Sequence, residues 1–389
     1  MKHISKLLTV ILLPVLTLGL AVYLYIENIK GFSLGAWQIV LVCVFGLLGI
    51  AVNYLLHSLF HETSHLIFGK FSGFKLYKFT VGFFSLVKTK KFFKLEFAFS
   101  SFGGATFMIC SQNKNLYRRY GFYVLGGLIG SFVFLTAYLL TAVLLKCENL
   151  ILLYLYTALI TGFPLSVYFL MLNAMPFSAK GVSTDGAVIK GIIKKDRETQ
   201  VLINVLTIQS LMMAGFSPSE IDKEYYFNVP VVADNNINKI VLTSYRYAYY
   251  LDLLDFENAN HEILQLERYS KHLPDIYKNN LLADIFFNTA FYKKDIEQAK
   301  IIYEKIDTSI NAETDIVTLR IKMAFELFIL KDNKAIETGK AALKQRDSYL
   351  ISGIAKMEEK IINYLIDIAQ KNIESSTEDG NTHLQNVQE

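Results

Sequence analysis

The chain has 389 residues, enough for two or three domains, and its composition is strongly apolar, with 52% hydrophobic and only 19% charged residues. This composition excludes a disordered chain, a collagen-like fibre and a coiled coil. The formal net charge of +4 is too small to indicate a nucleic-acid partner, and three widely spaced cysteines predict neither a disulfide framework nor a cysteine zinc site.

Four long apolar runs predict membrane-spanning helices. The first is twenty residues without a charge, which is long enough for a helix to cross a bilayer. Lys2 and Lys6 precede it, so a secretory signal peptide is the competing interpretation. The length of the run, and a small-x-small triplet that lies inside it, favour a retained helix. The predicted spans are residues 7–26, 36–66, 122–145 and 150–172.

The distribution of basic residues indicates how these spans are oriented. Residues 70–120 hold ten Lys and Arg against one acid, Glu96, whereas the loops at 27–35 and 146–149 hold one Lys each. Because cytoplasmic loops are enriched in basic residues, we expect 70–120 and both termini to be cytoplasmic. The Lys-, Ile- and Asn-rich composition suggests a bacterial plasma membrane.

Residues 74–99, between the second and third spans, alternate aromatic and polar side chains. This is the periodicity of β-strands, and it is broken near 85–90, as it would be in a hairpin. We predict a small membrane-associated β-hairpin or sheet there, followed by a sharp turn at Gly103–Gly104. Such a hairpin either lies on the membrane surface or offers an edge to which an extended substrate can add a strand.

The character of the chain changes after residue 190. Residues 191–235 are predicted to be an amphipathic linker, in which 201–215 is apolar but short, favouring a buried or interfacial helix over a fifth span. Residues 236–373 have the pattern of an all-α cytoplasmic domain, and 374–389 are predicted to be a disordered tail. The predicted fold is therefore an α-helical integral membrane domain over 1–190, joined to an all-α cytoplasmic helical-repeat domain.

Three amphipathic segments of the cytoplasmic domain are weakly similar to one another. Each has an alanine early in a helix, at separations of 40 and 36 residues: Ala259, Ala299 and Ala335. The segments resemble tetratricopeptide helical hairpins, although they match the 34-residue period only imperfectly, and a generic helical bundle is the alternative. A domain of this kind can bind a protein partner.

The pentapeptide His61-Glu62-Thr63-Ser64-His65 is the clearest indication of a functional site in the sequence. Positions i and i+4 share a helix face, so His61 and His65 can reach one metal ion, and Glu62 can take a proton from a water beside it. Imidazole and carboxylate ligands with an open position are typical of a hydrolytic zinc site, and polar groups inside an apolar span indicate function. The alternative is a polar helix end that merely precedes Lys70.

A second motif follows the fourth span, which ends in Asn173–Pro176 and is followed by Asp185–Gly186. An HExxH motif in one membrane helix, with an NxxP…DG element ending a later one, resembles the site-2 protease family of intramembrane zinc metalloproteases. The β-hairpin and the Gly126–Gly127 pair of the third span add to this resemblance, which covers residues 36–190.

The resemblance implies a role for five residues. The ligands of one catalytic Zn²⁺ ion would be His61, His65 and Asp185. Glu62 would be the general base that activates water, and Asn173 would orient or polarise the scissile carbonyl.

The sequence departs from the family in two places. Asp185 lies twelve positions after Asn173, farther than in the compact form of the motif. This spacing leaves Asp196 as an alternative ligand, although it lies in a charged run. The third span has Gly-Gly where many relatives have Gly-Pro.

His57 is expected to hydrogen-bond behind a ligand or to pack between helices, since as a ligand it would block the catalytic water.

These motifs predict an intramembrane zinc metalloendopeptidase. Its substrate would be a membrane protein or membrane-bound peptide, cleaved in or near a transmembrane segment during regulated proteolysis or signal-peptide processing. One alternative is a catalytically silent membrane-anchored scaffold with a protein-binding helical domain, which the intact Glu62 argues against. Another is a metal transporter, for which the sequence lacks an obvious second cluster of intramembrane ligands.

Overall fold

The computed structural model describes residues 2–88, 92–97, 103–110, 115–179, 182–272, 275–306 and 314–385. The chain forms two compact units, one ending at Thr199 and one continuing from Gln200, which we call the N-terminal and the C-terminal unit. The described residues are mostly helical, with a small four-stranded antiparallel sheet. The predicted fold class is confirmed to this extent.

Four helices of the N-terminal unit are long and apolar enough to cross a membrane. Each coincides with one predicted span, but two of them continue into the basic segment, because helical hydrogen bonds between backbone groups do not require apolar side chains. The helices are α1 (Lys2–Ile29), α2 (Ala36–Phe71), α3 (Leu116–Leu144) and α4 (Leu150–Ala174).

Helix α2 packs closely against α4 at Gly49 and Asn53. Gly49 faces the backbone of Ala158 with no room for a side chain. The buried amide of Asn53 donates to the carbonyl oxygens of Gly49 at 2.7 Å and Ala158 at 2.8 Å. Close approach at a small residue, combined with a polar bond between the helices, fixes the position of α2 along α4.

Three glycines of α3, Gly126, Gly127 and Gly130, face α2. A Cβ atom at Gly127 would lie 2.8 Å from His61 Cε1, and one at Gly130 would lie 2.9 Å from the carbonyl oxygen of Phe60. Because no side chain intervenes, the backbone of α3 lies directly beside the turn of α2 that carries the HExxH motif.

The predicted hairpin is part of a larger sheet, in which every pair of neighbouring strands is antiparallel. The strands lie in the order β3-β2-β1-β4, so β4 is an edge strand whose one described partner is β1. The strands are β1 (Phe74–Gly82), β2 (Phe84–Lys88), β3 (Phe93–Phe97) and β4 (Gly103–Cys110).

The sharp turn predicted at Gly103–Gly104 is wrong, because these residues begin β4 and pair with Gly82 and Val81 of β1. A Cβ atom at Gly104 would lie 2.5 Å from Glu62 Oε1. Glycine is therefore needed here because the strand approaches α2 closely, and not because the chain reverses.

A short connection links the end of α4 to the next helix. Thr184 Oγ1 donates to the carbonyl oxygen of Met175 at 2.6 Å and accepts a bond from the Ala187 N–H at 3.4 Å. Gly186 lies against the Ala174 carbonyl with no room for a side chain. These contacts hold the next helix beside the last turn of α4. The connection consists of β5 (Ser178–Ala179), β6 (Val182–Ser183) and α5 (Asp185–Lys194).

The C-terminal unit has its first core around α6 (Arg197–Ala214). Ile208 and Met212 of this helix are buried in one cluster with Tyr226 and Leu242. The apolar segment 201–215 is therefore a buried helix of this unit, and α6 is not among the described helices that are long and apolar enough to span a membrane. The predicted linker thus contributes to a folded core, together with the short α7 (Glu224–Phe227).

Helical hairpins form the rest of this unit. The three turns between paired helices have the same form, a residue in the left-handed conformation followed by an aspartate, at 254–255, 294–295 and 331–332. The predicted repeat alanines are all buried near the start of the second helix of each pair. The pairs are α8 (Ile237–Asp252) with α9 (Phe256–Tyr269), α10 (Asp275–Phe291) with α11 (Ile296–Glu304), and α12 (Ile316–Ala324), extended by a π-helix (Phe325–Leu330), with α13 (Lys334–Lys344).

The last helix, α14 (Ser352–Gln385), packs on these hairpins through residues such as Ile361 and Leu365. Its backbone is helical up to residue 385, 386–389 lie outside the described residues, and the predicted disorder of 374–389 stays a prediction.

A buried ion pair joins α14 to α12. Arg320 Nε donates to Glu358 Oε2 at 2.5 Å, and both side chains are almost completely buried. Arg320 Nη2 also lies 3.3 Å from Asp284 Oδ1 of α10. The charges are therefore paired where they are removed from water, as buried charges must be.

Candidate metal centre

Helix α2 presents the three residues of the HExxH motif to the interior of the N-terminal unit. His61, Glu62 and His65 are each less than a tenth exposed. The two histidines are one helical turn apart and therefore project from the same face of α2, toward α3. Buried imidazole and carboxylate groups need partners, and those partners come from three other elements.

Helix α3 orients both imidazole rings through their Nδ1 atoms. His65 Nδ1 lies 3.1 Å from the carbonyl oxygen of Tyr123, and His61 Nδ1 lies 2.9 Å from Ser131 Oγ. A carbonyl oxygen can only accept a hydrogen bond, so His65 carries a hydrogen on Nδ1, and in the neutral ring the lone pair is on Nε2. The Nε2 atoms of the two rings face each other at 3.1 Å.

Helix α5 brings a carboxylate to the same point. Asp185 Oδ2 lies 3.3 Å from His61 Nε2 and 3.2 Å from His65 Nε2. Burial alone would favour the neutral acid, but the two neighbouring imidazoles lower the pKa of Asp185 to about 2, so the group is ionised at neutral pH. The structure thus brings together the three residues that were predicted to be metal ligands.

The spacing of these three atoms fits a zinc ion. Zinc bonds of about 2.0–2.1 Å in tetrahedral geometry separate ligand atoms by about 3.3–3.4 Å. The observed separations of 3.1, 3.2 and 3.3 Å are close to this value. Asp185 Oδ2 is buried and makes no hydrogen bond of normal geometry within the described part of the chain, which leaves its lone pairs for a cation.

Strand β4 holds the Glu62 carboxylate. Thr106 Oγ1 lies 2.6 Å from Glu62 Oε2, to which it donates, and 3.1 Å from the Glu62 carbonyl oxygen. The hydroxyl of Tyr123 donates to the Thr106 carbonyl and connects the strand to α3. The carboxylate is therefore fixed from the side of the sheet, beside the two histidines rather than between them.

The other residues that the sequence analysis singled out lie outside this group of three. Asn173 lies in the last turn of α4, partly exposed, and its carbonyl oxygen is next to Gly186. Asp196, the alternative ligand, instead caps α6 by accepting a bond from the Thr199 N–H at 2.9 Å. His57 is buried between helices, with Nε2 3.1 Å from Ser131 Oγ.

Three residues that orient the site were not identified from the sequence: Thr106, Tyr123 and Ser131. Ser131 left one weak signal, since it is a polar residue four positions after Gly127 in the mostly apolar third span. Tyr123 contacts His65 through its backbone carbonyl, and Thr106 lies on a strand that the sequence did not predict, so neither had a recognisable pattern.

Comparisons with known proteins found no matching family model, no matching curated protein and no matching solved structure. The chemistry of the site is therefore inferred from its own residues and geometry.

Proposed function

We propose that this protein is an intramembrane zinc metalloendopeptidase of the site-2 protease type, which cleaves a membrane protein or membrane-bound peptide in or near a transmembrane segment. The observation that carries this proposal is the convergence of His61 Nε2, His65 Nε2 and Asp185 Oδ2 at the spacing of zinc ligands. The buried carboxylate of Glu62 stands beside them, which is the donor set and base of a hydrolytic site.

We infer that α1 to α4 cross the bilayer and that both termini are cytoplasmic. These helices expose many large apolar side chains, among them Leu47 and Leu144, which are 70% and 75% exposed. Removing apolar surface from water is favourable by about 25 cal/mol per Å², so such helices are stable in lipid. The ten basic residues between α2 and α3 support placing that segment in the cytoplasm.

A zinc ion in this centre would lower the pKa of a water molecule and polarise a carbonyl oxygen. The protein supplies the proton transfers. Glu62 takes a proton from the attacking water and returns it to the leaving amide nitrogen. Thr106 holds Oε2 of this carboxylate at 2.6 Å, which leaves Oε1 to receive the proton.

Asn173 is proposed to stabilise the oxygen of the scissile carbonyl. The residue ends α4 next to Gly186, which directly follows Asp185. An amide N–H aimed at an oxygen that gains negative charge lowers the barrier of acyl transfer. The partly exposed side chain of Asn173 is available for this bond.

The substrate is proposed to bind as an added strand on β4. A helical substrate hides its amides in internal hydrogen bonds, so it must unwind before water can attack. Strand β4 is an edge of the sheet, and its Thr106 contacts the catalytic carboxylate directly. An extended segment on that edge would lie beside Glu62, which supports β4, and not 74–99, as the binding edge.

The C-terminal unit is proposed to recruit or gate substrates through a protein partner. Its repeated helical hairpins suit either a protease or the alternative, a catalytically silent scaffold. The carboxylate of Glu62 favours the protease. Thr106 holds it in one orientation, as a general base requires, and a scaffold does not need such a group.

The test compares the wild type with Glu62→Gln, each co-expressed with candidate single-span substrates, while the zinc content of the purified full chain is measured. We expect about one zinc per chain in both proteins, since Glu62 is not a ligand, and cleavage by the wild type alone. Glu27→Gln is the matched control, because Glu27 is an exposed acid of α1 that pairs with Lys30.

Three results would contradict the proposal: equal cleavage by the wild type and Glu62→Gln, no bound metal in either protein, or loss of cleavage in Glu27→Gln as well. Asp185→Ala tests the third ligand separately. We expect that variant to lose zinc and activity together, and full zinc occupancy would overturn the assignment of Asp185.

A further inference from the structure

A chain of three hydrogen-bonding groups lies behind the candidate metal centre. His61 Nδ1 is 2.9 Å from Ser131 Oγ, and Ser131 Oγ is 3.1 Å from His57 Nε2. All three side chains are buried, and Ser131 is completely so. The ring of Phe134 packs edge-on against His57 at 5.4 Å between centroids. The chain therefore ends at His57, in an apolar environment.

The two proposed histidine ligands differ in how their hydrogens are fixed. His65 faces a carbonyl oxygen, which can only accept, so in the neutral ring the backbone fixes the lone pair on Nε2. His61 faces the hydroxyl of Ser131, which can donate or accept. The Ser131 hydroxyl alone therefore does not determine which nitrogen of His61 has the lone pair.

The direction of the hydrogen bonds in this chain decides whether His61 can bind a metal. In one direction His61 Nδ1–H donates to Ser131, and Ser131 donates to His57 Nε2, so the lone pair of His61 Nε2 faces Asp185. In the other direction Ser131 donates to His61 Nδ1, and the hydrogen on His61 Nε2 points at His65 Nε2, 3.1 Å away. That hydrogen would occupy the place of the ion.

We propose that His57 is a positioning residue, which accepts the Ser131 hydrogen and thereby holds His61 in the form whose Nε2 lone pair faces the metal. This inference rests on the proposed metal centre. It gives His57 a role through Ser131 and makes it neither a ligand nor a catalytic residue. The other nitrogen of His57, Nδ1, is buried without a hydrogen-bond partner in the described part of the chain.

That unpartnered nitrogen indicates what the imidazole is for. In the proposed arrangement His57 Nδ1 carries a hydrogen, and a buried donor without an acceptor destabilises the fold. An apolar side chain would pack against Phe134 without this cost. The imidazole is therefore explained by the bond that its Nε2 accepts, and not by packing alone.

The test is a double-mutant cycle on zinc affinity in the purified full chain, measured by competition with a chromophoric chelator. The variants are Ser131→Ala, His57→Phe and the two combined. We expect each single variant to bind zinc about 10–100-fold more weakly, the usual effect of removing a partner behind a ligand. The double variant should lose no more than the weaker-binding single variant, because either change already breaks the chain.

Two further variants separate positioning from packing. His57→Gln keeps a side-chain oxygen that can accept the Ser131 hydrogen, so we expect it to recover part of the affinity lost in His57→Phe. Ser166→Ala is the matched control, since Ser166 of α4 is equally buried but lies outside the hydrogen-bond chain. It should bind zinc like the wild type.

Wild-type zinc affinity in His57→Phe, or losses that add in the double variant, would overturn the role of His57 while leaving the metal centre intact. If His57→Phe does not fold, Ser131→Ala and His57→Gln decide the question, and wild-type affinity in Ser131→Ala overturns the proposal. A wild-type chain that binds no zinc would instead refute the proposed function, and this inference with it.

Discussion

Thr106 is the residue that holds the proposed general base, through a bond of 2.6 Å from its hydroxyl to Glu62 Oε2. Thr106→Val keeps the shape of the side chain and removes this bond. A hydrogen bond to a charged group contributes about 1.5–3 kcal/mol, so we expect cleavage to slow by about 10–100-fold. Zinc content should not change, because Thr106 does not contact a ligand.

The control for this prediction is Thr80→Val in β1. Thr80 is a buried threonine of the same sheet, and its hydroxyl lies 2.7 Å from Ser85 Oγ rather than near Glu62. Equal slowing by both variants would show that the effect comes from damage to the sheet and would remove the special role of Thr106.

Gly127 of α3 leaves no space between the helix and the two proposed histidine ligands. In Gly127→Ala the added methyl group would lie 2.8 Å from His61 Cε1 and closer still to His65. Because both rings would have to move, we expect zinc affinity to fall at least about tenfold, measured in the purified chain.

Gly46→Ala is the comparison for Gly127→Ala. Its methyl group would lie 3.4 Å from Thr161 Cγ2, an ordinary van der Waals contact, so zinc affinity should remain that of the wild type. If Gly127→Ala binds zinc equally well, the close approach of α3 does not constrain the ligands.

The site could be predicted from the sequence only in part. His61, Glu62 and His65 follow from helical spacing, because i and i+4 share a face. Asp185 followed only from the family resemblance, since the connection from α4 has no pattern that places its carboxylate. Thr106 and Ser131 could not be predicted, because they reach the motif from segments that are 44 and 70 residues away in the sequence.

At the scale of elements, the buried ion pair of Arg320 and Glu358 connects α12 with α14. Arg320→Met leaves the carboxylates of Glu358 and Asp284 without their cation. Removing one partner of a buried pair costs about 3–5 kcal/mol, and we expect the C-terminal unit to lose stability by that amount in urea unfolding of the full chain. Replacing Glu358 by Met as well should recover part of the loss.

The exposed pair of Lys356 and Glu220 provides the matched control for Arg320→Met. Its atoms are 3.5 Å apart and its side chains are about half exposed, so Lys356→Met should change stability by about 1 kcal/mol or less. A similar small loss in Arg320→Met would show that the buried pair does not hold α14.

The sequence predicted helices better than strands. Long apolar runs identify α1 to α4 because about twenty consecutive apolar residues, the length that a bilayer-crossing helix needs, form a strong pattern. Strand β4 was missed because it begins with two glycines, whose usual place is a turn, whereas here they permit contact with α2. The segment 201–215 was too short to distinguish a buried helix from a span until its partners Tyr226 and Leu242 were known.

At the scale of the whole molecule, the proposed topology places the loop at 146–149 on one side of the membrane and residue 389 on the other. Alkaline phosphatase is active only outside the bacterial cytoplasm. We expect phosphatase activity when it is fused within 146–149 and none when it is fused after Glu389. The reason is that the basic segment 70–120 is expected to stay in the cytoplasm, on the same side as residue 389. A fusion of green fluorescent protein after Glu389 should be fluorescent.

The reverse pattern of activity would overturn the orientation, and phosphatase activity at neither position would argue against an extracytoplasmic loop. Exchanging several lysines of 70–120 for glutamine supplies the control. The loss of the positive charge should weaken the bias in topology without changing the apolar runs.

The proposed ligands are divided between two helices that are made at different times. His61 and His65 are on α2, and Asp185, 120 positions after His65, begins α5. At about 5–20 residues per second, a ribosome needs about 6–24 s to add that length of chain. During this interval the nascent protein has the proposed base and two of the three proposed ligands but no closed metal centre. The proposed protease would therefore stay inactive until Asp185 has been added to the chain, although its HExxH helix is made long before.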